Sequence, residues 1–184
     1  RPFYQTTSPS MDILVSSNLE RLLFMMSDGN DEAVAGWMQA LNTEGIYKIP
    51  EDLLKKLQAE FSGYDCDDEK AAKVLGEIYR ESGYVCDPHT AVAMSTAKDY
   101  MKEEGTKNPI VVLSTASPFK FSRPVLSAIG ENAEGDEFDL LRRLSEKTGL
   151  PIPKSLAELE ELPERHKSVI AKDKMPTFVL ENVK

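Results

Sequence analysis

The sequence predicts an α/β architecture that is mainly helical, with one strand buried at about 109–115 and flanked by helices. Three observations predict it. Leucines and other apolar residues recur at helical spacing in successive stretches, the stripe of an amphipathic helix. The run Pro109-Ile110-Val111-Val112-Leu113 is apolar without alternation, the pattern of a strand covered on both faces. Glycines and cap-type residues mark the ends of the helical stretches, as at Asp87-Pro88, Gly83 and Gly149.

Each element follows from its own signals. Residues 1–15 are extended: Pro2 and Pro9 turn the residues before them away from helix. Ser16, Ser17 and Asn18 are cap types ahead of Leu19, Leu22, Leu23 and Met26, which predicts a helix over 18–27. Asp28-Gly29-Asn30 is a turn. Ala33, Val34, Trp37, Met38 and Leu41 give a second helix ending near Gly45, and Leu53, Leu54, Leu57 and Phe61 a third that opens at Pro50. A fourth runs from Asp67-Asp68 through Ala71, Val74, Leu75 and Ile78 to Gly83, its acidic first turn complementing the helix dipole. Asp65, Asp67, Asp68 and Glu69 lack the glycine and terminal glutamate of a calcium loop, so capping is their reading.

Asp87 as N-cap and Pro88 at N1 open the next helix, and the small residues of Thr90-Ala91-Val92-Ala93 allow close backbone approach. After the expected strand, Ser117-Pro118 is the cap and first residue of a further helix that Pro124 interrupts. Glu131 to Glu137 is an acidic loop, and Phe138, Leu141 and Leu144 mark a helix stopped by Gly149. Ser155 caps a short helix, and 168–171 and 177–180 read as short strands or extended strips around Pro176. The chain thus divides into a helical segment at about 1–83, a helix-strand-helix at about 84–130, and C-terminal helices with a tail at about 131–184.

Composition excludes some functions. The 31 acidic against 22 basic residues give a net charge of −9, which argues against nucleic acid or an acidic membrane as partner. No apolar run reaches membrane-spanning length and no signal peptide is visible. Cys66 and Cys86 have no metal-ligand spacing, so reduced thiols and a cytoplasmic setting are expected, with no metal site. The start at Arg-Pro-Phe rather than Met suggests a fragment. Phosphate loops and dinucleotide loops are absent, as are paired catalytic carboxylates with recognisable spacing.

The chemistry-bearing residues gather around Gly83–Phe121. Ser114, Thr115 and Ser117 follow the expected strand, where hydroxyls either face a ligand cleft or cap the next element. His89 is either a site residue or simply the second residue of a helix. Lys120, between Phe119 and Phe121, is either a desolvated amine suited to Schiff-base chemistry or a snorkelling surface lysine.

Three segments together resemble threonine synthase, the lyase that uses pyridoxal 5′-phosphate (PLP) to convert O-phosphohomoserine to threonine. They are Thr6-Thr7-Ser8-Pro9-Ser10-Met11-Asp12-Ile13, Asp87-Pro88-His89-Thr90-Ala91-Val92-Ala93, and Leu113-Ser114-Thr115-Ala116-Ser117-Pro118-Phe119-Lys120-Phe121. Their order and spacing match, and Leu150-Pro151-Ile152-Pro153-Lys154-Ser155-Leu156 fits as well. Ser117 stands where a common family form has histidine. The resemblance implies the C-terminal portion of a PLP enzyme of fold type II. It implies Thr115 as partner of the cofactor's pyridine nitrogen, with Lys120 and His89 toward the substrate. No catalytic residue is assigned, because the family's GPTxxFKD motif with its Schiff-base lysine, and its glycine-rich phosphate loops, do not occur in this sequence. Lys120 lacks that context. The isolated chain is therefore expected to be inactive, with the N-terminal part of the same enzyme as its partner. The other reading is a non-catalytic α/β interaction module, or a paralogue that has lost PLP chemistry. Other PLP lyases of the fold type, such as threonine dehydratase or cystathionine synthase, pair these motifs less closely.

Overall fold

The computed structural model describes residues 2–165 and 167–183, and the parts of the expectations that fall on Arg1 and Lys184 lie outside them. The chain separates into two units, Arg1–Leu150 and Pro151–Lys184.

The first unit opens with a 3-10 turn at Pro9–Met11 and continues through three helices, α1 (Ser17–Met26), α2 (Asp31–Glu44) and α3 (Glu51–Glu60). Their apolar stripes converge on Leu23, Val34 and Leu53, with Trp37, Met38, Tyr47, Ile49 and Leu57 packed around them. Full burial of a side chain such as Leu23 stabilises by about 1.5–3 kcal/mol. Asn30 caps α2 by accepting a hydrogen bond from the Ala33 amide, and Gly45 ends it in the left-handed region.

The second packing centre holds α4 (Asp68–Ser82), α5 (Pro88–Glu104), α6 (Ser122–Ala128) and α7 (Glu137–Thr148). Helix α4 packs on both α5 and α6, and α6 packs on α7. Val74, Leu75, Val125, Leu126, Leu140 and Leu144 fill the space between them. The α4–α6 crossing is close because position 76 is glycine: a Cβ there would lie 2.5 Å from the Ala128 carbonyl oxygen. Asp67 caps α4 as expected, and Asp136 caps α7 through the amides of Phe138 and Asp139. The acidic loop before α7 is held by arginines. Arg123 donates to the carbonyls of Ala133 and Gly135, and Arg143 to those of Asn132 and Glu134.

The buried strand is not there. Residues 109–115 take no regular secondary structure and pair with no strand among the described residues, and the structure is mainly helical. Val111 is 85% and Leu113 74% exposed. An apolar run reads as a sheet interior only if neighbouring strands take its backbone groups, and no described residue supplies one. Pro118–Phe121 forms a 3-10 turn leading directly into α6, which accommodates Pro124 in its first turn, so the proline does not interrupt it.

Within the second unit, α8 (Lys154–Ala157) is followed by 3-10 turns at Leu159–Glu161 and Lys172–Lys174, then by α9 (Met175–Asn182). Pro153, rather than Ser155, occupies the cap of α8. Residues 177–180, expected as an extended strip, are helical. Pro176 sits in the first turn of α9, where its missing N–H has no helical partner to lose.

Candidate functional site

The site is built on the first turn of α5. Asp87 is fully buried, and its carboxylate serves three donors. Oδ1 accepts from the His89 amide and from His89 Nδ1, each at 2.9 Å, and Oδ2 accepts from the Thr90 hydroxyl at 2.5 Å. Asp-Pro-His-Thr therefore closes on itself as a cap in which the side chain serves more than the free amide. The amide of Ser10 donates to His89 Nε2 at 3.3 Å, so Nε2 needs its lone pair and the proton belongs on Nδ1, facing Asp87. Burial, with Asp87 adding to it, pushes the neighbouring Cys86 thiol up to about 11.

Three distant stretches meet at this turn. The N-terminal segment is folded around Asp12, which accepts from the Thr6 amide at 2.8 Å and the Thr6 hydroxyl at 2.6 Å. The Thr6 hydroxyl holds the Asp12 carboxyl below its ordinary range. Thr7 donates through its amide and hydroxyl to Asp68 at the start of α4, at 3.0 and 2.8 Å. The His89 ring meets Phe121 edge to face, with centroids 4.8 Å apart. The hydroxyls of Tyr84 and Thr90 lie 3.0 and 3.3 Å from the Ser114 hydroxyl. Ser117 caps the turn at 118–121 by accepting from the Phe119 amide.

An open groove of about 730 Å³ runs along α5 beside this junction. Its walls include Met11, His89, Ala93, Tyr100, Ile110–Leu113 and Thr115. Thr115 and His89, both marked out in the sequence, thus border the same groove. Thr115 is exposed there, whereas His89 is buried. Lys120 is exposed on the 118–121 turn and is not among the residues that line it. Among the described residues no cluster of histidine, cysteine and carboxylate side chains could hold a metal.

The sequence reading took Asp87 for a cap only. The signal for more was the pair His89 and Thr90, two and three residues on, both able to donate back to it. The contact of Tyr84 with Ser114 spans thirty residues and has no local signature.

Fold and groove together define a helical domain that gathers three separated motifs around a buried aspartate–histidine pair and presents hydroxyls beside an apolar cleft. Residues 90–179 match the family model "Threonine synthase, C-terminal". It is 33% identical to threonine synthase of Pseudomonas aeruginosa over 166 residues, which are 89% of this chain and 34% of that protein. It superposes on PLP-bound threonine synthase from Brucella melitensis with a TM-score of 0.69 and 34% identity, covering 89% of this chain and 31% of that one. On threonine synthase from yeast the TM-score is 0.79 at 27% identity, covering 98% and 36%. The chain thus spans about a third of the length of these relatives.

Proposed function

We propose that the chain is the C-terminal portion of a threonine synthase in amino-acid biosynthesis, with O-phospho-L-homoserine and water as substrates and L-threonine and phosphate as products. What carries the reading is the junction itself: the three motifs that resemble the family in sequence meet around α5, beside one groove.

PLP, when bound, supplies an electron sink for the carbon skeleton of the substrate. The donor set fits it. Thr115 offers a neutral hydroxyl bordering the groove, suited to hydrogen-bond a ring nitrogen while leaving it largely uncharged, and apolar residues 110–113 flank it. His89, in the groove wall, and Lys120, on the neighbouring 118–121 turn outside the groove lining, are the residues assigned to the substrate. The lysine that carries the covalent chemistry is assigned to the N-terminal part of the same enzyme, and the isolated chain is inactive. That part is also the partner of residues 109–115, whose apolar Val111 and Leu113 stand exposed. The same reading assigns the enzyme to the cytoplasm, supported by the free thiols of Cys66 and Cys86.

In the intact protein, Thr115→Val should lower PLP affinity or turnover by about tenfold or more, the scale of one hydrogen bond to a charged or polarised group. Kinetics and affinity within twofold of wild type would remove Thr115 from the site.

A further inference from the structure

We propose that Asp87 is a positioning residue: through Thr90 and Ser114 it fixes the 113–117 elbow and hence the place of the Thr115 hydroxyl. The inference rests on the assignment of Thr115 to the cofactor. The chain of contacts carries it. The Thr90 hydroxyl is held on the Asp87 carboxylate, which can only accept. The same Thr90 hydroxyl lies 3.3 Å from the Ser114 oxygen, facing it as donor. Ser114 also accepts from the Tyr84 hydroxyl at 3.0 Å. Ser114 is thus met by Tyr84 and by the Asp87-held Thr90.

The relay begins at an exposed tyrosine and ends at a carboxylate with no exposure at all. Ser114 belongs to the 113–117 elbow, next to the residue assigned to the cofactor. The elbow's side-chain ties to other elements include Ser114 and the buried Phe119. Of these, Ser114 is the one adjacent to Thr115. The other oxygen of Asp87 holds His89, which receives the Ser10 amide and packs on Phe121. One carboxylate therefore sets both sides of the groove.

The test uses Thr90→Val, which keeps the shape and removes the hydroxyl, with Thr90→Ser as the conservative variant. In the intact protein, amide hydrogen exchange over 113–117 should rise about tenfold in Thr90→Val, and PLP affinity should fall roughly five- to tenfold. Thr90→Ser should restore both to within about twofold. Ser114→Ala, at an exposed position that tolerates truncation, should reproduce the effects, and the double variant should be no worse than either single one. A lower melting temperature with unchanged exchange at 113–117, or with unchanged PLP affinity, would overturn the proposal. If the wild-type protein takes up no PLP while exchange at the elbow still responds as described, the relay stands and the cofactor assignment of Thr115 falls.

Discussion

The first turn of α5 and the segment 109–115 carry neighbouring parts of one motif set, yet they reach opposite environments. Asp87, His89, Thr90 and Ala91 are buried, and every donor and acceptor named on the first three has a partner. Val111 and Leu113, more apolar than any of those three, stand in solvent. The difference lies in where the backbone finds its hydrogen bonds. A helix satisfies its own, and a cap such as Asp87 satisfies the free amides at the start within three residues. An extended segment must borrow from another strand, so apolar content alone does not bury it. Burial here follows backbone satisfaction first and hydrophobicity second.

The most damaging way to break the comparison is Asp87→Ala. It removes the helix cap and leaves the His89 amide, the His89 ring and the Thr90 hydroxyl with a buried donor each and no acceptor. The expected loss is about 2–4 kcal/mol, combining a cap with buried donors left unsatisfied. Chemical denaturation of this variant against wild type measures it, and a loss under 1 kcal/mol would show that the turn is not the anchor described.

Next in size is Gly76→Ala. The added methyl would sit 2.5 Å from the Ala128 carbonyl oxygen, a backbone atom that cannot swing aside. Helices α4 and α6 must separate, which costs about 1–3 kcal/mol despite the better helix propensity of alanine. A stabilised protein would mean that α4 and α6 can part at this crossing without loss.

Cys86 tests the same neighbourhood through pH. Burial, and then Asp87, raise its thiol from an ordinary value of 9.0 to about 11. A raised thiol means the folded state holds its proton more tightly than the unfolded chain does. The contribution is complete below about pH 9 and is lost as pH rises through about 11. Cys86→Ala should remove that alkaline slope from a plot of unfolding free energy against pH. At neutral pH, a thiol-specific reagent should modify the partly exposed Cys66 well before Cys86.

Much of the helical frame was legible beforehand because its signals are local. Asn30, Asp67, Asp87 and Asp136 accept from amides two or three residues on, and Gly45, Gly83, Gly105 and Gly149 end their helices with positive φ. The environment of the run 109–113 could not be read the same way, since its composition states only that something apolar should cover it, not that the chain contains the cover. Pro176 misled for a related reason: proline breaks a helix in its interior and starts one at its first turn, and the choice between these depends on residues outside the immediate window. At the site, His89 and Thr115 stood out by type and position. The tie from Tyr84 through Ser114 to Asp87 joins residues remote in sequence and needed coordinates.

The smallest effect sharpens the comparison most. Val111→Asp places a charge on a side chain that is 85% exposed, so in the chain by itself the change in unfolding free energy should stay within about 0.5 kcal/mol. If the N-terminal part covers this segment as proposed, the same substitution should be severe in the longer protein, because the covered charge would be buried without a partner, at a cost of several kcal/mol. Parallel denaturation of the two forms reads the contrast directly. A loss above about 1 kcal/mol in the chain alone would mean that residues 109–115 pack on the helices in solution. Equal tolerance in the intact enzyme would mean that the segment stays exposed there too, and that its apolar side chains serve the groove rather than a sheet.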